Sequence, residues 1–268
     1  MDYRTFLTRE LQNAALIANK YFGKVSGTVK PEDTNQVLTE ADIEIGKLLV
    51  EAVRREYPEH NIIDEEAGVI DNGSHYTWVI DPIDGTSNFA AGTPDYGIMI
   101  GLLEEATPIA GGVFAPAHDK LYIAIKGENA TCNGQEIRVN NESKLVHTLV
   151  SFGIDSHPEA PERTQKECQV LADVVLNVRN IRNSGSEAID PMYVAEGRYG
   201  GRINLSSKIW DNVAPQIIAE EAGALWTDTN GKAIDYSNPT KRIDHNYRFC
   251  VAAPTLHEQL IKIVNGRL

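Results

Sequence analysis

"WVIDPIDGTSNF", residues 78–89, places an apolar run directly before two aspartates, a proline and a glycine. The run reads as a β-strand, and "DPIDG" reads as the turn that leaves it. Asp81 and Asp84 stand three positions apart, and neither is stable in an interior without a partner. Taken alone, they fit either an Asx-type turn between strands or a pair of ligands on a turn, with the Ile83 carbonyl between them as a further ligand. Pro82 fixes one φ angle, and Gly85 lets the backbone approach an anion closely. The amides of Gly85 and Thr86 can bind phosphate if a helix starts there.

Outward from this stretch, the chain divides into two textures. Leu7, Leu11, Ala14, Ala18 and Tyr21 recur at helical spacing before Gly23, so the chain opens with an amphipathic helix. Residues 26–36, "SGTVKPEDTNQ", read as a polar loop or loose hairpin. Thr39 and Asp42 form a capping-box pattern ahead of Ile45, Leu48, Leu49, Ala52 and Val53, which predicts a second helix ending before Pro58. From Asn61 onward, short β-rich runs are separated by Gly, Pro and Asn, and Asn133-Gly134 is a strong hairpin signal. Two helices followed by strands predict an α+β half over residues 1–142 with a mainly antiparallel sheet.

Beyond the polar stretch at 140–148, "TLVSFGI", "GGRINL", "ALWTD" and "RFCVAA" read as strands. They alternate with helices expected near 162–175, 186–196 and 211–222, and with a closing helix whose face is Leu256, Leu260, Ile263 and Val264. That alternation predicts an α/β half over residues 143–268.

Asp and Glu number 38 against 25 Lys and Arg, a net charge of -13, which opposes non-specific binding to nucleic acid or an anionic membrane. No apolar stretch approaches the roughly 20 residues of a membrane helix, and the N-terminus lacks a signal-peptide core, so a cytoplasmic protein is expected. Cys132, Cys168 and Cys250 are too few and too scattered for a disulfide framework or a zinc site, and are expected to be packing thiols. The histidines show no metal-ligating spacing, which leaves oxygen ligands for any metal.

Three acidic clusters end apolar runs: Glu65 and Glu66 in "NIIDEEAG", Asp81 and Asp84, and Asp211 in "KIWDNVAPQIIAEEAGA". Singly, Glu65-Glu66 fits a solvated pair, Asp211 a helix N-cap and Asp42 a cap residue. Together they fit a site whose mutual repulsion is relieved by shared Mg²⁺, a hard ion that takes oxygen ligands and substrate phosphate. Two such ions about 4 Å apart can position a water and stabilise a leaving alkoxide.

At this point the chain resembles the inositol monophosphatase family of Mg²⁺-dependent, often lithium-inhibited phosphomonoesterases. "WVIDPIDGTSNF" resembles its first signature and "WDNVAPQIIAEEAGA" its second, with "TEAD" at 39–42, "DEEAG" at 64–68 and "NSGSEAIDPMYVAEGR" at 183–198 matching in order. The resemblance implies a layered αβαβα sandwich of the inositol monophosphatase and fructose-1,6-bisphosphatase type, usually a homodimer. It implies Glu65, Asp81 and the Ile83 carbonyl at a first metal and Asp81, Asp84 and Asp211 at a second, with a third, weaker ion near Glu65. Thr86 and Asp42 would orient the attacking water, and Glu66 would lie close by. Substrate contacts are expected from Asp84, Gly85, Thr86, Ser184, Gly185, Ser186, Glu187 and Asn204. The implied substrate is a small phosphorylated metabolite, most simply inositol monophosphate. Histidinol phosphate, fructose 1,6-bisphosphate, 3'-phosphoadenosine 5'-phosphate and a non-catalytic ligand-binding role stand as alternatives.

The substrate side departs from the family pattern. Asn204 stands where the inositol phosphatases usually carry a glutamate, and Glu187 stands where alanine is more common. Glu187 is expected either to face solvent in a helix's first turn or to face the organic part of the substrate. Asp211 as N-cap would put Pro215 at about the fourth helical position. Lys30, in the loop before the second helix, is either a solvated lysine or a residue that closes over the third ion.

Overall fold

A computed structural model describes residues 1–24, 28–30, 33–155 and 159–266. The helices are α1 (Tyr3–Tyr21), α2 (Glu40–Glu56), α3 (Thr86–Ala91), α4 (Pro161–Val175), α5 (Asp190–Ala195), α6 (Ile209–Glu221) and α7 (Pro254–Asn265). The strands of the first part are β1 (Thr28–Lys30), β2 (Asp33–Leu38), β3 (Asn61–Asp64), β4 (Gly68–Ile70), β5 (Tyr76–Asp84), β6 (Gly97–Glu104), β7 (Thr107–Ala115), β8 (Lys120–Ile125), β9 (Glu128–Cys132) and β10 (Gln135–Glu136). Those of the second are β11 (Leu149–Gly153), β12 (Asn180–Arg182), β13 (Gly201–Ser207), β14 (Leu225–Asp228) and β15 (Tyr247–Ala252).

β1 and β2 pair as a hairpin, and the Lys30 side chain lies outside the described residues. An eight-stranded sheet runs β10-β9-β8-β7-β6-β5-β3-β4, and a five-stranded sheet runs β12-β11-β13-β15-β14. The first sheet is antiparallel except for the β3–β5 pair, whereas β11 lies parallel to both its neighbours. Helices α1 and α2 cover one face of the large sheet, α6 packs on the other face with α5, and α4 and α7 pack together beyond the small sheet. The result is an αβαβα sandwich.

Local chemistry explains the elements. The Asp2 carboxylate accepts the Thr5 N–H at 2.9 Å and so caps α1, whose buried stripe is Phe6, Leu7, Leu11, Ala14 and Ala18. That stripe meets Trp78, Ile80 and Ile100 in one core, and Tyr3, Phe6 and Tyr57 close around the fully buried Trp78 ring. Burial of each such side chain is worth about 1.5–3 kcal/mol. At the β9–β10 turn, Asn133 and Gly134 take φ of 49° and 76°, the left-handed pair of a type I′ hairpin.

Gly101 on β6 and Gly111 on β7 lie opposite each other in the sheet. A Cβ on Gly101 would stand 2.8 Å from the Ala214 nitrogen, and one on Gly111 would stand 2.9 Å from the Ala214 oxygen. The bare backbone of these two strands is therefore the bed on which α6 rests.

Three expectations need correction. The helix expected near 186–196 is only Asp190–Ala195, because the residues before it turn their backbone toward Asp84 instead. Asp211 is not the N-cap of α6 but its third residue; Lys208 is the N-cap, and Asp211 accepts the Lys208 N–H at 2.6 Å. Pro215 is consequently the seventh helical residue, where its missing N–H removes the hydrogen bond to the Asp211 carbonyl. Among the cysteines, Cys250 is buried and Cys132 half-buried, but Cys168 is exposed on α4.

Candidate active site

In a regular strand, side chains three positions apart point to opposite faces. The β5–β6 pairing breaks between Asp81, opposite Met99, and Asp84, opposite Gly97, so that Pro82 and Ile83 face the single residue Ile98. Such a bulge re-aims the side chains beyond it, and Pro82 has no N–H to lose from the ladder. Asp81 and Asp84 thereby turn to the same side and meet Asp211 from the first turn of α6. One carboxylate oxygen from each of the three lies within 4.8 Å of the others.

These carboxylates oppose one another. Burial raises Asp81 well above the ordinary aspartate value, and the charges of Glu65, Asp84 and Asp211 raise it further. Asp211 is raised by desolvation and then by Asp84, against the lowering effect of the Lys208 N–H. Asp84 is raised by burial, and the Ser186 hydroxyl and Ala188 N–H, which donate to its Oδ2, pull it back. Asp81 Oδ1 is buried with no hydrogen-bond partner among the described residues. An orphaned carboxylate oxygen inside an all-oxygen cluster of three acids fits a hard divalent cation such as Mg²⁺.

A cavity of about 510 Å³ opens over the cluster and is lined by Glu65, Asp81, Ile83, Asp84 and Asp211 together with Gly85 and Thr86. Glu65 borders it without joining the tight triad. Gly85, at φ 78°, ends the strand, and α3 starts at Thr86. The Thr86 hydroxyl lies 2.8 Å from the Ile83 carbonyl oxygen and 3.3 Å from Asp42 Oδ1.

Asp42 sits in the capping box foreseen for α2. Its Oδ2 accepts the Thr39 N–H at 2.8 Å and the Thr39 hydroxyl at 2.5 Å, leaving Oδ1 toward Thr86. Burial pushes its carboxyl up to about 6, with Thr39 opposing the rise and the Glu66 charge adding to it. Glu66 is thus close enough to act on Asp42, although it does not line the cavity.

The remaining expected substrate contacts separate into two groups. Gly185, Ser186, Glu187 and Asn204 line the cavity, while Ser184 does not. Ser184 ties the loop together: its hydroxyl accepts the Ser186 N–H, its carbonyl accepts from Asn88 and its N–H donates to Asp190. Ser186 holds Asp84 in place. The solvent-facing option for Glu187 is excluded, since it is buried at 5% exposure and ion-paired with Arg202. Burial raises Glu187 and the Arg202 charge lowers it.

Arg202 went unnoticed in the sequence. It is buried on β13 and also pairs with Asp190 at 2.9 Å. The available signal was an arginine two positions before Asn204 inside an apolar strand, since a buried guanidinium requires carboxylate partners.

Comparison with known proteins agrees with this geometry. Residues 2–267 match the sequence profile of the inositol monophosphatase family. A fructose-1,6-bisphosphatase/inositol-1-monophosphatase of Aquifex aeolicus is 32% identical over 79% of this chain and 80% of its own length. The Nus factor SuhB of Pasteurella multocida is 34% identical over 75% of this chain and 74% of its own. The solved structure of an IMPase/NADP phosphatase complexed with Mg²⁺ and phosphate superposes with a TM-score of 0.83 at 26% identity, covering 98% of this chain and 94% of that one. The chain belongs to the inositol monophosphatase family, a family of phosphomonoesterases.

Proposed function

We propose that the protein hydrolyses a small phosphate monoester in a Mg²⁺-dependent reaction, with inositol monophosphate as the substrate expected first. The observation that carries this reading is the meeting of Asp81, Asp84 and Asp211, whose carboxylates are raised by burial and one another beside a cavity bordered by Glu65. Asp81, Asp84, Asp211, Glu65 and the Ile83 carbonyl would hold two or three Mg²⁺ ions. When bound, these ions supply an activated water and offset the charge of the leaving alkoxide.

The chain's own residues do the rest. The Thr86 hydroxyl, held between the Ile83 carbonyl and Asp42, orients the attacking water through its lone pairs. Asp42, with its carboxyl near 6, fixes the direction of that hydroxyl and can receive a proton at Oδ1 near neutral pH. The amides of Gly85 and Thr86 bind the phosphate oxygens. Residues 1–142 and 143–268 form two halves on this reading, and the site lies where they meet.

The same reading makes the enzyme a cytoplasmic homodimer. Among the described residues, no helix is long and apolar enough to cross a membrane. The net charge of -13 supports a metabolite rather than a nucleic acid as the partner.

Phosphate release is to be measured with Mg²⁺ and with EDTA on inositol 1-phosphate, fructose 1,6-bisphosphate, histidinol phosphate and 3'-phosphoadenosine 5'-phosphate. Metal-dependent turnover of the first is expected; none on any of the four would sink the proposal. The non-catalytic alternative predicts instead that the four esters are bound and recovered unchanged.

A further inference from the structure

Part of the cavity wall is a charged cluster that holds no expected metal ligand. In the β11–β13 pairing, Ser151 lies beside Arg202 and Gly153 beside Asn204. The Arg202 guanidinium spends all three nitrogens internally: Nη2 and Nε face the two oxygens of Glu187, and Nη1 reaches Ser151 Oγ at 2.7 Å and Asp190 Oδ2 at 2.9 Å. Gly153 makes room for this arrangement, since a Cβ there would stand 2.7 Å from Arg202 Nη2 and 3.0 Å from Asn204 Cγ. Within this cluster, one cation is therefore matched by two carboxylates, and Arg202 keeps no unpaired charge for a ligand among the described residues; the other cations of the cavity wall, Arg163 and Lys208, stand outside the cluster.

Glu187 is the member that still has something to offer. Its Oε1 takes Arg202 and the Asn204 amide N–H, the latter at 2.6 Å, while among the described residues Oε2 takes only Arg202 Nε at 3.3 Å. A carboxylate oxygen accepts two hydrogen bonds, so Oε2 keeps an acceptor position in a residue that lines the cavity. The Asn204 carboxamide cannot turn round to supply a donor there, because its Oδ1 is engaged by the Ser206 N–H at 2.8 Å. The position of Glu187 relative to the metal-ligand triad is set on both sides, by Ser186 and Ala188, which donate to Asp84.

Resting on the phosphomonoesterase reading above, we propose that Glu187 determines substrate specificity in two ways: it accepts a hydrogen bond from a hydroxyl on the alcohol portion of the substrate, and by occupying Arg202 it denies that guanidinium to a second anionic group. The substrate class is then a neutral polyol monophosphate. A carboxylate or second phosphate beside the ester would meet Glu187, and it could reach Arg202 only by breaking a bidentate, buried ion pair.

Glycerol 2-phosphate and 2-phosphoglycerate form a matched pair of probes, since they differ by exchange of one hydroxymethyl group for a carboxylate. The kcat/KM ratio of the first to the second is measured with Mg²⁺ for the wild type and for Glu187→Gln. The wild type is expected to favour glycerol 2-phosphate, and the ratio to fall by at least about tenfold in Glu187→Gln, with most of the change in KM. Asn204→Ala, which takes one donor from Glu187 and leaves its charge and the ion pair, frees a further acceptor position on Oε1 and should raise the ratio by a smaller factor; it provides the test if the first variant does not fold. A wild type that turns over both probes with a ratio unmoved in the variants overturns this inference alone. Absence of metal-dependent turnover on these probes and on inositol 1-phosphate overturns the phosphatase reading and this inference with it.

Discussion

Asp42→Asn isolates one buried acid whose contribution changes with pH. Burial lifts the Asp42 carboxyl from 3.8 to about 6. Because the folded value lies above the unfolded one, the group's favourable contribution is complete below pH 3.8 and is lost as pH rises through about 6. The displacement corresponds to about 3 kcal/mol of lost stability at neutral pH. The variant removes the titration and keeps an acceptor for the Thr39 N–H, which lies 2.8 Å from Oδ2. Urea unfolding of both proteins in EDTA, from about pH 4.5 to about pH 8, should move their stability difference by about 2 kcal/mol in favour of the variant. The packing effect of asparagine itself, and every other titrating group, cancels in that change with pH. A difference that stays constant over the range would refute the assignment of Asp42 as a buried acid with a raised pKa. With Mg²⁺ and substrate present the same variant should lose turnover, a gain of stability obtained at the expense of function.

Mg²⁺ at about a hundred times its dissociation constant should stabilise the wild type by about 2.7 kcal/mol in thermal unfolding, and Asp81→Asn should abolish that increment. If Asp81→Asn responds to Mg²⁺ like the wild type, the cluster is not the metal site. Arg202→Met strands Glu187 and Asp190 in the interior without their cation and should cost about 3–5 kcal/mol in chemical denaturation; a loss below about 1 kcal/mol would contradict the buried ion pairs. Gly101→Ala places a methyl 2.7 Å from Val213 Cγ1 and should cost about 1–3 kcal/mol. Calorimetric titration of that variant should also show weaker Mg²⁺ binding, because α6 carries Asp211.

Much of this molecule could be read from local pattern. Periodicity located α1 and α2, the Thr39–Asp42 box located a helix start, and Asn133-Gly134 located a hairpin, because each signal acts within a few residues. The acidic clusters were legible for a related reason: acids at the ends of apolar runs demand an explanation wherever the runs meet. The bulge at Pro82 was not legible, since register depends on which strand pairs with β5. The helical start at Ile209 was missed because aspartate serves both as an N-cap and, three residues further on, as the residue that reaches back to the cap. The helix expected from 186 starts only at Asp190, because the Ser186 hydroxyl and the Ala188 N–H donate to Asp84, about a hundred positions earlier, which no local pattern records. Arg202 stayed hidden because its partners, Glu187 and Asp190, become neighbours only when β13 lies beside the segment that leads into α5.

The seat of α6 on Gly101 and Gly111 makes the width of the acid cluster a property of the interface beneath it. Asp81 and Asp84 belong to the sheet and Asp211 to the helix, so the height of the helix above two bare stretches of backbone works as a caliper. Magnesium bonds to oxygen at about 2.0–2.1 Å and calcium at about 2.3–2.6 Å, a gap narrower than a single methyl group. If the three acids hold a metal as proposed, a side chain added at Gly101 or Gly111 would change which ion fits from positions that never touch it.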